Sequence, residues 1–266
     1  MNLTSPSQVK GWCIENEFHP NKTLGQNFLI DRNALTAIVD AGLAGVDGEP
    51  KRVLEIGPGL GVMTEELLSR GCHVRAIEKD PVLAERLTKE MSDKVNLEVV
   101  AGDALANGML EGEYDAMVSN LPYQAGTRIL LELVQKRSIP RMTALVQTEV
   151  AERLAAKEGS KTRSLAGVWT QLDYDVAIVR KVAPSCFWPR PEIGSSVVSL
   201  TRHDRNIAFS AKERSFFYKM TKRAFEHRRK QLGSIFKDMI QSTARAEELS
   251  IEDWINLTKG LTNEDT

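Results

Sequence analysis

Short apolar runs rich in β-branched residues alternate with longer amphipathic stretches from residue 34 to about residue 200. Five runs have the length and composition of buried strands: 53–56, 73–77, 95–100, 114–119 and 143–147. Four stretches have helical spacing: 63–69, 81–91, 128–135 and 150–156. Strands that are separated by helices pair in parallel through right-handed crossovers, so the pattern predicts a doubly wound α/β sheet.

The pattern changes near the end of this region. Two apolar runs, 176–182 and 195–201, have no predicted helix between them, so we expect an antiparallel pair at the sheet edge. Beyond residue 203 the pattern is helical, with predicted helices at 211–232, 234–240, 244–249 and 251–260. We therefore predict two domains, an α/β domain over 1–203 that begins with a mobile segment of about 21 residues, and a small all-α domain over 204–266.

Composition narrows the class of protein. The 266 residues are 42% hydrophobic and 27% charged, which is ordinary for a globular chain. The three cysteines (Cys13, Cys72 and Cys186) include no CxxC spacing, and the four histidines are scattered, so we predict neither a disulfide framework nor a metal site. No run of 18 apolar residues occurs, so we expect no membrane span. We expect a cytoplasmic monomer.

A glycine turn follows the first strand of the predicted sheet. Gly57, Gly59 and Gly61 form a GxGxG pattern, and Val62 breaks the GxGxxG spacing of pyrophosphate binders. Glu78 closes the next strand, where a carboxylate can accept hydrogen bonds from two ribose hydroxyls. Asp103 follows the third strand and can either accept from an adenine amino group or cap a helix. Together these residues favour a ligand that contains adenosine.

The fourth strand ends in Asn120, Leu121, Pro122 and Tyr123, at the edge where open α/β sheets place their ligands. The asparagine supplies an amide acceptor, the proline removes a backbone donor, and the tyrosine offers a flat face for a base. A plain turn is the alternative. The position of the loop, after a glycine turn and two spaced acids, favours catalysis.

Five strings in order then identify a family. The chain resembles the small-subunit rRNA adenine dimethyltransferases in LGQNFL (24–29), EIGPGLG (55–61), NLPY (120–123), FWPRP (187–191, followed by Ser195) and AFEHRRK (224–230). The similarity runs from about residue 22 into the C-terminal region. The related enzymes that methylate large-subunit rRNA usually have Ile before Pro in the acceptor loop, and their glycine turn lacks the Pro-Gly-Leu-Gly run.

The resemblance implies a Rossmann-like class I methyltransferase with S-adenosylmethionine (SAM) as cofactor and small-subunit rRNA as partner. It implies cofactor contacts from six residues: Asn27, Leu29, Gly57, Glu78, Asp103 and Asn120. We add Gly59 from the glycine turn. It also implies that Asn120 and the backbone near Leu121 accept the protons of the target amine, and that Tyr123 and Phe187 cover the two faces of the base; a core position is the alternative for Phe187.

The chain departs from the family at one loop. Family members usually carry Tyr-Gly where this sequence has Arg163-Ser164. Lys157, Lys161 and Arg163 cluster there, so the loop is either a basic RNA contact or a solvated loop. The acceptor loop itself matches the family fully.

The net charge of −1 hides an uneven distribution. Between residues 212 and 237 nine basic residues stand against two acidic ones, a local excess of seven positive charges that leaves −8 for the rest of the chain. Such a segment can neutralise phosphates; a solvated helix is the alternative. The predicted RNA-binding residues are Lys222, Arg223, Arg228, Arg229 and Lys230.

Two other classes of function stay open at this level. A non-catalytic RNA-binding, ribosome-assembly or transcription factor on the same fold would keep the basic helix and lose transfer. A small-molecule methyltransferase would keep the sheet, but it would have no use for the basic appendage. The intact Asn120–Tyr123 loop favours an active rRNA adenine N6,N6-dimethyltransferase.

Overall fold

The computed structural model of the chain describes residues 3–48, 51–205, 209–237 and 239–263. The chain forms two compact units. The first comprises residues 1–151 and 177–202 and contains the sheet edge that carries the predicted site. The second comprises residues 152–176 and 203–266 and is mainly helical.

Nine strands are present in the described residues: β1 (Phe28–Leu29), β2 (Arg52–Ile56), β3 (His73–Glu78), β4 (Leu97–Ala101), β5 (Ala116–Asn120), β6 (Arg141–Gln147), β7 (Tyr174–Val182), β8 (Phe187–Trp188) and β9 (Ser195–Arg202). Seven of them form one sheet in the order β4-β3-β2-β5-β6-β9-β7, and β1 pairs with β8 in a small antiparallel sheet. Strands β2 to β6 pair in parallel, and β9 is antiparallel to β6. The predicted doubly wound sheet with an antiparallel edge is confirmed.

Ten helices are present in the same residues: α1 (Pro6–Glu15), α2 (Arg32–Leu43), α3 (Val62–Ser69), α4 (Pro81–Glu90), α5 (Gly126–Lys136), α6 (Thr148–Ala155), α7 (Leu165–Gln171), α8 (Ala211–Glu226), α9 (Leu232–Ile235) and α10 (Ile251–Asn263). Side-chain caps define several starts. Asp31 accepts from the Ala34 amide at α2, Asp80 caps α4, and Ser210 and Glu213 form a capping box at α8.

A large apolar cluster of the first unit is built around the central strands. Val53, Ala116 and Val118 from β2 and β5 pack with Leu35 and Ile38 of α2, and all five are fully buried. Buried parallel strands are continuous apolar runs because helices cover both faces. The rigid centre of the sheet therefore fixes the carboxyl ends of its strands, where the loops of the site begin.

The described part of the segment before residue 21 contains helix α1, and the predicted mobility of this segment stays a prediction. Helix α1 buries Val9 and Cys13 against Phe28, Leu60 and Leu83. Its apolar positions are few and separated by polar ones, which is why the sequence pattern did not reveal a packed helix.

The helical unit has its own core, in which Phe217, Met220 and Ala224 of α8 share one face as predicted. Val168 and Leu172 of α7 belong to the same cluster. Residues 152–176 consequently group with this unit, whereas the sequence assigned them to a continuous domain over 1–203. Apolar positions reveal that a helix is amphipathic, but they do not reveal which core receives its apolar face.

The end of α8 also differs from the prediction. The sequence suggested one helix over 211–232, but α8 ends at Glu226 and its C-cap residue is His227. The basic residues 228–230 therefore lie in a turn, not on a helix.

Candidate active site

Loops at the carboxyl ends of β2, β3, β4 and β5 line one cavity in the first unit. Its wall includes Gly57 and Gly59 from the turn after β2, Glu78 at the end of β3, Asp103 after β4 and Asn120 at the end of β5. Parallel strands bring these positions together because their carboxyl ends meet at one sheet edge. The fold therefore brings these predicted residues to the wall of one cavity, and their role in cofactor binding stays a prediction.

The glycine turn after β2 needs residues without a side chain. Gly59 has a φ of 59°, in the left-handed region, and a Cβ there would lie 3.2 Å from the Phe28 ring. At Gly61, with a φ of 85°, a Cβ would lie 2.6 Å from the Leu87 side chain. Gly57 and Gly59 line the cavity, and the Gly59 amide donates to Glu78 at 3.0 Å.

Two backbone amides hold the Glu78 carboxylate. Its Oε2 accepts from Gly59 and its Oε1 accepts from Asp80 at 2.9 Å, and the side chain is 6% exposed. Burial raises the pKa of Glu78, while the two amides act in the opposite direction. The carboxylate lines the cavity, where its oxygens can accept further hydrogen bonds.

Sequence reasoning did not single out Glu55 as a site residue, although its motif contains it. Glu55 is 1% exposed, lines the cavity, and accepts from the Thr64 hydroxyl at 2.6 Å. Burial raises its pKa to about 8, against the effect of the Thr64 hydrogen bond, and the Glu78 carboxylate adds to the rise. The available signal was an acidic residue inside the apolar run 53–56.

Asp103 lies in a turn, not at the start of a helix. Its Oδ1 accepts from the Leu105 amide, and its Oδ2 pairs with Lys79 Nζ at 2.9 Å. The Lys79 ammonium and the Leu105 amide lower the pKa of Asp103, so the carboxylate stays ionised. A base that bound here would share this acceptor with Lys79.

The acceptor loop begins at Asn120, the last residue of β5. Its Nδ2 donates to the Asn27 carbonyl at 3.1 Å, which leaves Oδ1 as the acceptor of the amide. Leu121 is buried and donates to the Leu145 carbonyl, and Gly126 donates to the Pro122 carbonyl at 2.7 Å. The loop is thus held at both ends by backbone hydrogen bonds.

A hydroxyl pair fixes the ring that closes this loop. The Tyr123 hydroxyl lies 2.7 Å from the Ser195 Oγ, which is buried at the start of β9. Burial raises the pKa of Tyr123, so the phenol is neutral at physiological pH. Ser195 follows the FWPRP string in the sequence, but only the tertiary structure provides it with this partner.

The segment before α2 packs against the acceptor loop. Gly25 has a φ of 68°, and a Cβ there would lie 3.1 Å from the Tyr123 backbone nitrogen. Asn27 lines the cavity, and Leu29 does so from β1, where it pairs with Phe187 of β8. The structure therefore brings both N-terminal residues to the predicted cofactor site.

Phe187 is the predicted site residue that does not line this cavity. It is 2% exposed and belongs to the core cluster, the alternative that the sequence left open. Side chains alternate along a strand, so its neighbour Trp188 points the other way and stacks on Phe28 at a centroid distance of 6.5 Å. Phe28 itself lines the cavity, although no pattern in the sequence singled it out.

The five predicted RNA-binding residues of the helical unit fall into two groups. Four of them are exposed, namely Lys222, Arg223, Arg229 and Lys230, and Arg228 is half-buried. Arg223 donates weakly to the Ile235 carbonyl and lies over the Phe236 ring. Arg228 pairs with Glu247 at 3.4 Å and donates to the Lys161 carbonyl at 2.5 Å. Arg223 and Arg228 are therefore engaged within the unit.

Arg163, at the position where the family usually has tyrosine, is buried. It is 1% exposed and donates to the Ala156 carbonyl at 2.8 Å, and burial lowers its pKa. The suggestion that Arg163 contributes a basic surface contact is therefore wrong. Lys157 and Lys161 of the same loop are exposed.

Metal-binding clusters and membrane-spanning helices are both missing from the described residues. Over 3–48, 51–205, 209–237 and 239–263, no group of three or more His, Cys, Asp or Glu side chains is arranged to hold a metal ion. Within the same ranges no helix has the length and apolar character needed to cross a bilayer.

The sheet has seven strands, with the antiparallel β9 between β6 and β7. One of its edges carries a glycine turn, a carboxylate held by backbone amides and an Asn-Leu-Pro-Tyr loop. These features define a Rossmann-like methyltransferase. The family model described as ribosomal RNA adenine dimethylase matches residues 17–264. The chain belongs to this family.

Individual relatives agree. The ribosomal RNA small subunit methyltransferase A of Mycobacterium avium is 34% identical over 97% of this chain and 87% of its own length. A dimethyladenosine transferase structure from Plasmodium falciparum is similar in fold, with a TM-score of 0.77, 22% identity, and coverage of 89% of this chain and 98% of that one. The 23S rRNA methyltransferase ErmE matches with a TM-score of 0.70 and 25% identity, over 89% of this chain and 100% of its own.

Proposed function

We propose that this protein transfers methyl groups from SAM to the exocyclic amine of adenines in small-subunit rRNA, twice on the same nitrogen. The single observation that carries the proposal is the Asn120 amide. Its Nδ2 is engaged by the Asn27 carbonyl, so its Oδ1 is the atom available to a substrate amine. The family assignment supplies the reaction class.

The cavity fits the cofactor by its own features. Gly57 and Gly59 of the glycine turn line the cavity, and the Glu78 carboxylate in the same wall can accept hydrogen bonds from a ribose diol. We assign the binding of SAM to these residues together with Asn27, Leu29, Gly57, Asp103 and Asn120. SAM supplies an electrophilic methyl group on a sulfonium sulfur.

The chain's own contribution to transfer is orientation. The adenine N6 lone pair is delocalised into the ring, so the amine must be held pyramidal and in line with the methyl carbon. The Asn120 Oδ1 and the backbone carbonyl near Leu121 accept the two amine protons in this proposal, and they direct the lone pair at the methyl group. No general base is needed, since the ammonium product loses its proton after transfer.

An adenine within a helix cannot reach this loop, so the substrate base is flipped out or already unpaired. Tyr123 offers its face to the base, and its ring is oriented by Ser195. The prediction that Phe187 covers the second face requires that residue to leave its core position, because it is 2% exposed here. Phe187 in that role remains a proposal.

RNA binding is assigned to the helical unit. Lys222, Arg229 and Lys230 are exposed, so they can release counterions from phosphates. Arg223 and Arg228 support this surface through contacts inside the unit, and Arg228 anchors the loop that carries Lys161. We further propose a monomer in the cytoplasm, where the thiols of Cys13, Cys72 and Cys186, which form no disulfide, would stay reduced.

The test is methyl transfer to ribosomal particles. Purified protein and isotopically labelled SAM are incubated with small subunits from cells that lack this methylation, and the rRNA is digested and analysed by mass spectrometry. We expect labelled N6,N6-dimethyladenosine. Fully methylated subunits serve as the control and should take up no label. Unlabelled under-methylated subunits would contradict the proposal.

The alternative is a non-catalytic RNA-binding or assembly factor of the same fold. It predicts subunit binding without transfer, so calorimetric titration with SAM discriminates the two. Absence of SAM binding would favour the alternative. Turnover on free adenosine would instead indicate a small-molecule methyltransferase.

A further inference from the structure

One side-chain amide joins two loops of the cavity that come from distant parts of the chain. Gln26 Nε2 donates to Asp80 Oδ2 at 2.7 Å, and Gln26 Oε1 accepts from the Asn21 amide at 2.7 Å. Gln26 itself lines the cavity and is half-buried. The two hydrogen bonds use the opposite ends of the amide, so a flipped amide would lose both.

The acceptor of this bond is itself held in place. Asp80 is 8% exposed, and its Oδ1 caps α4 by accepting from the amides of Val82 at 3.0 Å and Leu83 at 3.4 Å. The Asp80 amide donates to Glu78 Oε1. Gln26 thus binds the residue that pins the ribose-accepting carboxylate in our proposed function.

The segment after Gln26 reaches the acceptor loop. The Asn27 carbonyl accepts from Asn120 Nδ2, and the Asn27 side chain donates back to the Gly25 carbonyl at 3.1 Å. Gly25 lies against the Tyr123 backbone. A continuous set of contacts therefore runs from Glu78 through Asp80, Gln26 and Asn27 to Asn120.

We propose that Gln26 is a positioning residue for methyl transfer, which clamps the segment 21–29 to Asp80. The clamp sets the distance between the cofactor contacts on that segment and the carboxylate at the end of β3. It also holds the Asn27 carbonyl where it orients the Asn120 amide. The inference rests on the proposed function for its meaning in catalysis, but the clamp itself is a property of the cofactor-free protein.

The hydrogen bond between Gln26 and Asp80 can be tested by exchanging its donor and its acceptor. In Q26E a carboxylate faces Asp80, and in D80N two amide donors face each other while Oδ1 still caps α4. In Q26E/D80N the new side-chain amide at position 80 can donate to the new carboxylate at position 26, which keeps its bond from the Asn21 amide. The double variant also restores the original charge of this region.

We expect the single variants to weaken SAM binding by about tenfold or more, because each loses a charge-assisted hydrogen bond. The double variant should bind SAM within about threefold of the wild type. The Kd for SAM is measured by calorimetry, and kcat and KM are measured on under-methylated subunits. The kcat of Q26E should fall, because loss of the clamp disturbs the Asn27–Asn120 contact. Q26A, which removes the clamp without adding charge, should behave like D80N.

A second readout needs no cofactor and no activity. Hydrogen exchange in residues 21–29 of the cofactor-free protein should be faster in Q26E, Q26A and D80N than in the wild type or the double variant. Q135E on the exposed face of α5 is the matched control for an added charge. It should change neither the SAM affinity nor the hydrogen exchange of residues 21–29.

Two results would overturn the clamp: SAM affinity in Q26E and Q26A within twofold of the wild type, or losses that simply add in the double variant. The proposed function fails separately, when the wild type binds SAM and leaves under-methylated subunits unmodified. If the wild type did not bind SAM at all, unchanged hydrogen exchange in Q26E would still refute the clamp, and faster exchange would support it.

Discussion

Replacement of Glu55 by glutamine should stabilise the cofactor-free protein, and the gain should depend strongly on pH. Glu55 is fully buried below the glycine turn, with the Thr64 hydroxyl as its hydrogen-bond donor. Burial raises its pKa from 4.5 to about 8. Because the folded-state pKa lies above the unfolded one, the stability tied to the protonated group is fully present below pH 4.5 and is lost as pH rises toward 8.

The magnitude follows from the shift. At about pH 7.5 nearly the whole shift is sampled, and at about 1.4 kcal/mol per pH unit the ionisable carboxyl costs on the order of 4 kcal/mol of unfolding free energy. Near pH 5 the same calculation gives a cost in unfolding free energy of under about 1 kcal/mol. Glutamine does not ionise, and it keeps an oxygen for Thr64, so E55Q removes the pH-dependent cost and little else.

The assay is equilibrium unfolding in urea at several pH values between about 4.5 and 8, with wild type and variant compared at each pH so that other titrations cancel. E66Q is the matched control, since Glu66 is 6% exposed but pairs with Arg32 at 2.8 Å and Arg70 at 2.9 Å. Loss of that paired carboxylate should destabilise the protein at neutral pH, which is the opposite sign.

A stability difference between E55Q and wild type that stays constant across this pH range would refute the reasoning. So would a variant that is less stable than the wild type at every pH. Either result would mean that the folded protein stabilises the ionised carboxylate at this position.

Three further predictions concern the two units. N120A should reduce methyl transfer by at least about a hundredfold, since it removes the proposed amine acceptor, while the thermal unfolding midpoint stays unchanged. D173N should destabilise the helical unit by about 3 kcal/mol in urea unfolding, because Asp173 is fully buried and binds the Arg214 guanidinium through both oxygens, at 2.6 and 2.8 Å. R229Q/K230Q should weaken RNA binding and lower the slope of log K against log salt by about 0.7–0.9 for each lost phosphate contact.

A specific result would contradict each of these three predictions. Unchanged turnover in N120A would remove the amine acceptor from the mechanism, and unchanged stability in D173N would show that the pair is not needed for folding. K89Q/K136Q removes the same charge from exposed positions on α4 and α5. An equal loss of salt slope in that variant would show that total charge, not the basic turn, controls binding.

Local patterns in the sequence determined the elements of the fold. The run 53–56 became β2 (Arg52–Ile56), and the run 143–147 became β6 (Arg141–Gln147), because a buried parallel strand is mostly apolar along its length. The motif strings also indicated where the cavity lies, for a second reason. A glycine turn or an acidic residue directly after a strand must lie at the carboxyl edge of a parallel sheet, wherever that strand is placed in it.

Local patterns did not determine which way single side chains point in irregular segments. Phe187 and Trp188 are adjacent aromatics, and the pairing of β1 with β8 sends the first into the core and the second toward Phe28. Arg163 is charged, and its burial depends on acceptors that the fold supplies, the Ala156 carbonyl and the Gln171 side chain. Neither outcome has a periodic signal in the sequence.

The sequence by itself determined the α/β sheet, the helical end of the chain and the loops that carry the candidate chemistry, because these depend on periodicity and on short-range turn residues. The tertiary structure decided that residues 152–176 join the helical unit, that Arg228 binds Glu247 and Lys161, and that Gln26 meets Asp80. Contacts of this kind join residues far apart in the chain. Their geometry exists only once the unit that contains them has folded.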